Sequence, residues 1–399
     1  MLLVSAGAQS VPPKDDALPL EQRRALWLLD QLFERAKACD DETFRIGAQA
    51  ELADLLWKYD EARARAQFEE ALQAIDAIKP EPVDDPSDAP LLAEFGPQYQ
   101  LRRGVVELIA HHDAEWARKL GDQTGIELST ESDSSQPEPA AAGQSGIRPP
   151  STTPGSPGLP LKPFLASRSV RPANVQDLLS QADTARSPAE KDGLYARAAV
   201  QALVENDFEW ALSIAGKISP SPSRASIEAM ARQRAAVAAL SKEDFVEADR
   251  YARDLPNLMQ RANVFDQLLR ALEKRKDIGR AAEVLAEAEQ SLGKAEDGPA
   301  KARALLIIAG AAARLDPLRG FEILRSAVTA INHADLDEKS HEKSHDGYTP
   351  NFAQVLPLLV HADFDRVLQL VQSIERKEFS VLAQMALCRA LLSQTREKQ

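Results

Sequence analysis

Asp207-Phe208-Glu209-Trp210-Ala211 and Asp244-Phe245-Val246-Glu247-Ala248 are the two stretches that decide the fold. Each sets an aspartate four residues ahead of an alanine, with phenylalanine directly after the aspartate. An aspartate so placed predicts a helix N-cap, because its carboxylate accepts hydrogen bonds from first-turn amides that lack an intrahelical partner. Its charge also suits the positive end of the helix dipole. Positions one, four, eight and eleven after the aspartate then share one helical stripe. That stripe reads Phe208, Ala211, Ala215 and Ile218 in the first case, and Phe245, Ala248, Ala252 and Leu255 in the second. The small residue at the fourth position predicts a close crossing with the preceding helix.

The same device recurs at Asp60–Ala64, Asp113–Ala117, Asp277–Ala281, Asp316–Gly320 and Asp363–Val367, the last with the stripe Phe364, Val367, Val371 and Ile374. Four residues ahead of five of the aspartates stand Leu56, Ile109, Leu203, Leu240 and Leu359, the partner side of the contact. The last five aspartates are 37, 33, 39 and 47 residues apart. Two helices and two turns need about 34–40 residues, so the spacing predicts an array of helical pairs. Residues 379–392 follow the final stripe with no partner beyond them and read as the terminal cap of the stack.

Composition agrees with an all-α chain. Apolar residues make up 44% of the 399, enough for a core, whereas aromatics are only 5% and alanine is frequent. Alanine has the best helix propensity, and a sheet would want Val, Ile, Tyr and Thr instead. Three polar interruptions fall at 80–97, 128–172 and 334–350. The second holds nine of the 25 prolines together with Ser, Thr and Gly, a composition that cannot offset its ordering entropy and predicts disorder. The expected organisation is a flexible terminus or signal remnant at 1–19, a helical repeat region at 20–127, a disordered linker or insertion at 128–172, and a second repeat region with its capping helix at 173–399.

Here the chain resembles the tetratricopeptide repeat family, whose second helix opens with Asp-Phe/Tyr-x-x-Ala as at Asp207-Phe208 and Asp244-Phe245. Pro220 and Pro256 stand where that family often closes its second helix. The departures are the missing Leu-Gly-x-x-Tyr of the first helix, a shorter second helix, and Asn206 and Glu243 where a glycine usually precedes the aspartate. The resemblance implies a right-handed α-solenoid of antiparallel helical pairs that binds a peptide or protein on a concave surface. It brings no catalytic residue with it.

His341-Glu342-Lys343-Ser344-His345 has the His-Glu-x-x-His spacing by which two histidines one turn apart bind zinc while the glutamate activates water. Its flanks are Leu336-Asp337-Glu338-Lys339-Ser340 and Asp346-Gly347-Tyr348-Thr349-Pro350, with no apolar shell and no evident third ligand, so it reads as a solvated loop. His111, His112 and His361 fall just before capping aspartates, as turn residues. Trp27, Trp57, Trp116 and Trp210 read as packing residues of the repeats. No phosphate-binding glycine loop and no nucleophile elbow occurs, and the many carboxylates single out no acid–base pair. Neither a cofactor nor a resident metal is expected.

The formal charge of −13 disfavours nucleic acid as a partner. The most apolar window, 305–313, is far short of a membrane span. Cys39 and Cys388 read as small buried residues, with a long-range disulfide left open by spacing alone. A short apolar run before Ala6-x-Ala8 resembles the end of a secretory signal, which suggests export to a periplasm or beyond if the true start lies upstream, and a cytoplasmic protein otherwise. The function expected is a non-catalytic interaction scaffold. The alternative is a hydrolase or lyase built on helical hairpins.

Overall fold

The computed structural model of the chain describes residues 18–78, 96–126, 174–334 and 350–393, and all regular structure among them is helical. In chain order the first helices are α1 (Leu20–Lys37), α2 (Glu42–Leu56), α3 (Glu61–Ala77), α4 (Pro97–Ala110) and α5 (Ala114–Thr124). Then come α6 (Val175–Thr184), α7 (Pro188–Val204), α8 (Phe208–Ala215), α9 (Pro222–Ser241), α10 (Phe245–Arg253) and α11 (Leu258–Lys274). The last are α12 (Ile278–Gly293), α13 (Pro299–Leu315), α14 (Pro317–Asn332), a 3₁₀ turn at Phe352–Gln354, α15 (Leu356–Leu359), α16 (Phe364–Gln372) and α17 (Lys377–Ser393). Helices pack in neighbouring pairs, as a helical-repeat array requires.

Each of the seven aspartates accepts a first-turn hydrogen bond. The donors are the backbone N–H groups of Arg63, Trp116, Trp210, Glu247, Arg280, Leu318 and Arg366, for Asp60, Asp113, Asp207, Asp244, Asp277, Asp316 and Asp363 respectively. Four residues on, Ala64, Ala117, Ala211, Ala248, Ala281 and Val367 have no exposed surface, and Gly320 is buried. At Gly320 the crossing is tightest: a Cβ there would lie 2.9 Å from the Cα of Ala313 on α13. The glycine is the condition for α13 and α14 to pack backbone to backbone.

The chain divides into two units, Met1–Gly146 with Asp363–Gln399, and Ile147–Ala362. In the first unit α2 packs on α3 and α4, and α4 on α5. Their core is built from Ile46, Ala53, Phe68, Ile75, Val106 and Ile109. The unit also contains α16 and α17, which the sequence places at the end of the second repeat region. The helix read as a terminal cap is not one: α17 packs along α1 and touches α2. A cap needs a polar outer face, whereas α17 buries Phe379, Val381, Ala383, Met385, Leu387, Cys388, Ala390 and Leu391 around its circumference. Polar links add direction to this contact. Arg35 Nη1 donates to Gln384 Oε1 at 3.0 Å, Arg389 Nη2 to Glu51 Oε2 at 2.5 Å, and Lys377 Nζ to the carbonyl of Ala38 at 3.1 Å.

In the second unit the first helix of each pair also packs on the first helix of the next, α7 on α9, α9 on α11 and α11 on α13. The extra helix between the second and third capping aspartates, α6, packs on α7. Helix α13 holds the most apolar window of the chain. It is buried nearly all round, from Ala302 to Ala313, because α11, α12, α14 and α15 surround it. None of the described helices is long and apolar enough to cross a membrane.

Candidate binding groove

The second unit carries an open groove of about 580 Å³. Asn206 and Phe208, on either side of the capping Asp207, form one wall. Met230, Gln233, Arg234, Val237 and Ala238 of α9 form the other. Helix α9 turns Ile227, Ala231, Ala235, Ala236 and Ala239 into the core, so Met230 and Val237, off that stripe, remain 39% and 42% exposed. On the adjacent α7, Val200 and Val204 are likewise exposed, at 45% and 63%. Counted from the capping aspartates, Val200 and Val237 hold the same repeat position, seven residues before the cap. Scattered exposed apolar residues are ordinary, but Met230 and Val237 line one groove together with Phe208.

The corresponding helices further along the unit are different. There Arg314 of α13 reaches Asp266 of α11 at 2.8 Å and Glu273 of α11 at 3.1 Å, and Arg270 reaches Asp266 at 2.8 Å. Ion pairs thus cover this stretch of α11 and α13, whereas α9 leaves Met230 and Val237 open beside Phe208. At the edge of the groove Arg234 Nη1 donates to the carbonyl of Leu203 at 3.4 Å, which fixes a guanidinium beside the apolar wall. Sequence reasoning missed the groove. Its signal was the repeated valine off the buried stripe, which reads as an ordinary surface residue until the neighbouring helix is in place.

The first unit holds a second cluster, of another kind. Trp57 stacks on His112 with ring centroids 4.9 Å apart and lies 6.2 Å from Trp116. The guanidinium of Arg65 sits over both indoles, 4.8 Å from Trp57 and 5.1 Å from Trp116. It also binds Asp113 at 2.6 Å and Glu61 at 2.9 Å. The Trp116 amide first, then Arg65, hold the Asp113 carboxyl below its ordinary range. His112 Nε2 meets Asp54 Oδ1 at 2.8 Å. The aromatic faces are thus occupied by the protein's own cation, and the cluster acts as a brace between α2, α3 and α5.

The other candidate residues disperse. Trp210 packs against the second unit's core, but Trp27 is 51% exposed, because it lies off the α1 stripe of Ala25, Leu28, Leu29, Leu32 and Phe33. His341, Glu342 and His345 lie outside the described residues, as do 1–17 and the proline-rich 128–172. Among the described residues no group of three or more His, Cys, Asp or Glu side chains is placed to hold a metal ion. Cys39 and Cys388 are free thiols, both buried, and burial pushes the Cys39 thiol up to about 11. No family model matches the chain, and neither the curated proteins nor the solved structures compared with it give a match.

Proposed function

We propose that the chain is a non-catalytic interaction scaffold whose groove between α8 and α9 binds a segment of a protein partner. The observation that carries this reading is the groove itself, in which Met230 and Val237 stand 39% and 42% exposed opposite Phe208 and beside Arg234. Removing such side chains from water is favourable at about 25 cal/mol per Å², and an open groove lets a partner do so. The segment that fits presents an apolar side chain to Met230 and Val237 and a carboxylate to Arg234, since a guanidinium pairs best with a carboxylate. In the same reading the helical pairs form a right-handed, tetratricopeptide-like array of antiparallel pairs. Supporting it are the seven capped second helices, the buried small residue in each, and the stacking of α7, α9, α11 and α13.

The test is site-specific photocrosslinking in the source cells, with a benzophenone side chain at position 237 and, as control, at position 282. The crosslinked species is then purified and its affinity measured for the wild type and for Met230→Asp and Val237→Asp, each shown to be folded by circular dichroism. The proposal expects a partner captured at 237 alone, and at least tenfold weaker binding by both variants. Equal binding by the folded variants would remove the groove from the function.

A further inference from the structure

One buried acidic site in the second unit is used neither by the groove nor by the capping pattern. Asp249 of α10 has no exposed surface. It stands five residues after its capping aspartate, where the other pairs of this unit carry Leu212, Ala282 and Phe321. A carboxyl group at an otherwise apolar position must find compensation, because burial of an unpaired charge is costly. Part of it comes from two arginines. Arg253 Nη2 lies 3.0 Å from Asp249 Oδ2, and Arg280 Nη2 of α12 lies 3.3 Å from the same oxygen.

The other oxygen tells a different story. Asp249 Oδ1 is buried without a donor, and so is Glu287 Oε2 of α12. Arg253 lies against both carboxyl groups, 3.0 Å from Asp249 Oδ2 and 4.0 Å from Glu287 Oε2, and Glu287 acts on Asp249 as a hydrogen-bonding neighbour. Two carboxylates can only accept, so the contact becomes a bond only if one of them carries a proton. A single proton, covalently on Asp249 Oδ1 and donated to Glu287 Oε2, satisfies both orphaned atoms. Arg253 Nε lies 4.0 Å from Glu287 Oε2, so the single negative charge that remains on the pair lies beside Arg253 and Arg280.

We propose that Asp249 and Glu287 share one proton and form an acid-closed latch that fastens α10 to α12 and loosens when the proton leaves. The charges acting most strongly on Asp249 come from Arg253 on its own helix and from Arg280 and Glu287 on α12. Glu283 holds the other end of Arg280 at 2.8 Å. The other helices packed on α10, namely α9 and α11, supply none of these charges. Burial first, then Glu287, raises the Asp249 carboxyl from its ordinary 3.8 to about 6. A raised acid binds its proton more tightly in the folded state. The stability it contributes is therefore complete below the unfolded value near 4 and is lost as pH rises through about 6.

The test is hydrogen exchange of the α10 amides in the full chain between pH 4.5 and 7.5, corrected for intrinsic rates, together with carboxyl carbon shifts of labelled aspartate. The wild type is expected to lose protection in α10 by up to about tenfold per pH unit as the proton leaves, with one aspartate titrating well above the rest. In Glu287→Gln the amide donates permanently to Asp249 Oδ1, so protection should vary less than twofold and the raised titration should disappear. Asp249→Asn, which donates in the opposite sense, should be equally flat. Protection in α10 that is the same at all pH values in the wild type, or that falls equally in Glu287→Gln, would overturn the latch.

Discussion

The turn at His111-His112-Asp113 in the first unit and the turn at Glu205-Asn206-Asp207 in the second have the same length and join the same kinds of helix, yet their backbones differ. In the second unit Asn206 has φ 61°, Glu243 has φ 58° and Lys276 has φ 60°, all in the left-handed region. The amides of Asp207, Asp244 and Asp277 then bond back five residues, to Ala202, Ala239 and Leu272. That pattern satisfies one more carbonyl at the end of the first helix. In the first unit the amides of Asp113 and Asp60 bond back four residues, to Ile109 and Leu56, and neither His112 nor Tyr59 is left-handed. Held by Asp54 and stacked on Trp57, His112 keeps the right-handed turn. The comparison teaches that the capping aspartate and the small residue after it define the helical pair, while the turn before them follows whatever its side chains can grip.

The strongest way to break the shared part of this pattern is at its tightest crossing. Gly320→Ala should destabilise the chain by about 2–3 kcal/mol in denaturant unfolding, although alanine is the better helix former, since its Cβ meets the α13 backbone. A loss below the propensity gain would mean that the crossing is slack.

The caps sharpen the difference between units. Asp207→Ala should cost about 1 kcal/mol, the ordinary loss of a cap. Asp113→Ala should lower Tm by more than Asp207→Ala, because it also releases Arg65 from its place over two indoles. Equal melting shifts would show that the brace adds nothing.

The turns should respond with opposite signs to one substitution. His112→Gly should lose about 1 kcal/mol with its hydrogen bond and its stacking on Trp57. Lys276→Gly should gain about 0.5 kcal/mol, because relief of a left-handed lysine exceeds the added entropy of the unfolded chain. Asn206→Gly should gain less, since asparagine tolerates that conformation. Two changes of the same sign would end the distinction drawn between the turns.

Much of this was legible in the residues. The aspartates and the buried stripes that follow them are local signals, because a cap acts within one turn and a stripe repeats every three or four residues. The left-handed turn was visible only as an anomaly, Asn206 and Glu243 in place of an expected glycine. The fate of α17 was misread because no partner follows it in the sequence, whereas its partner, α1, lies at the other end of the chain. The groove was hidden because Met230 and Val237 become a surface only when Phe208 lies opposite.

The sequence by itself determined that the chain is helical, where the capped helices begin and which side of each is buried, since those properties depend on neighbours within a few residues. Only the tertiary structure decided that the last helix packs on the first, that Arg65 fills the space between two tryptophans, and that Asp249 meets Glu287. Apart from Arg65 on Trp57, those contacts join residues from 38 to more than 300 positions apart, and their existence depends on how helices cross, which the period of a helix leaves free.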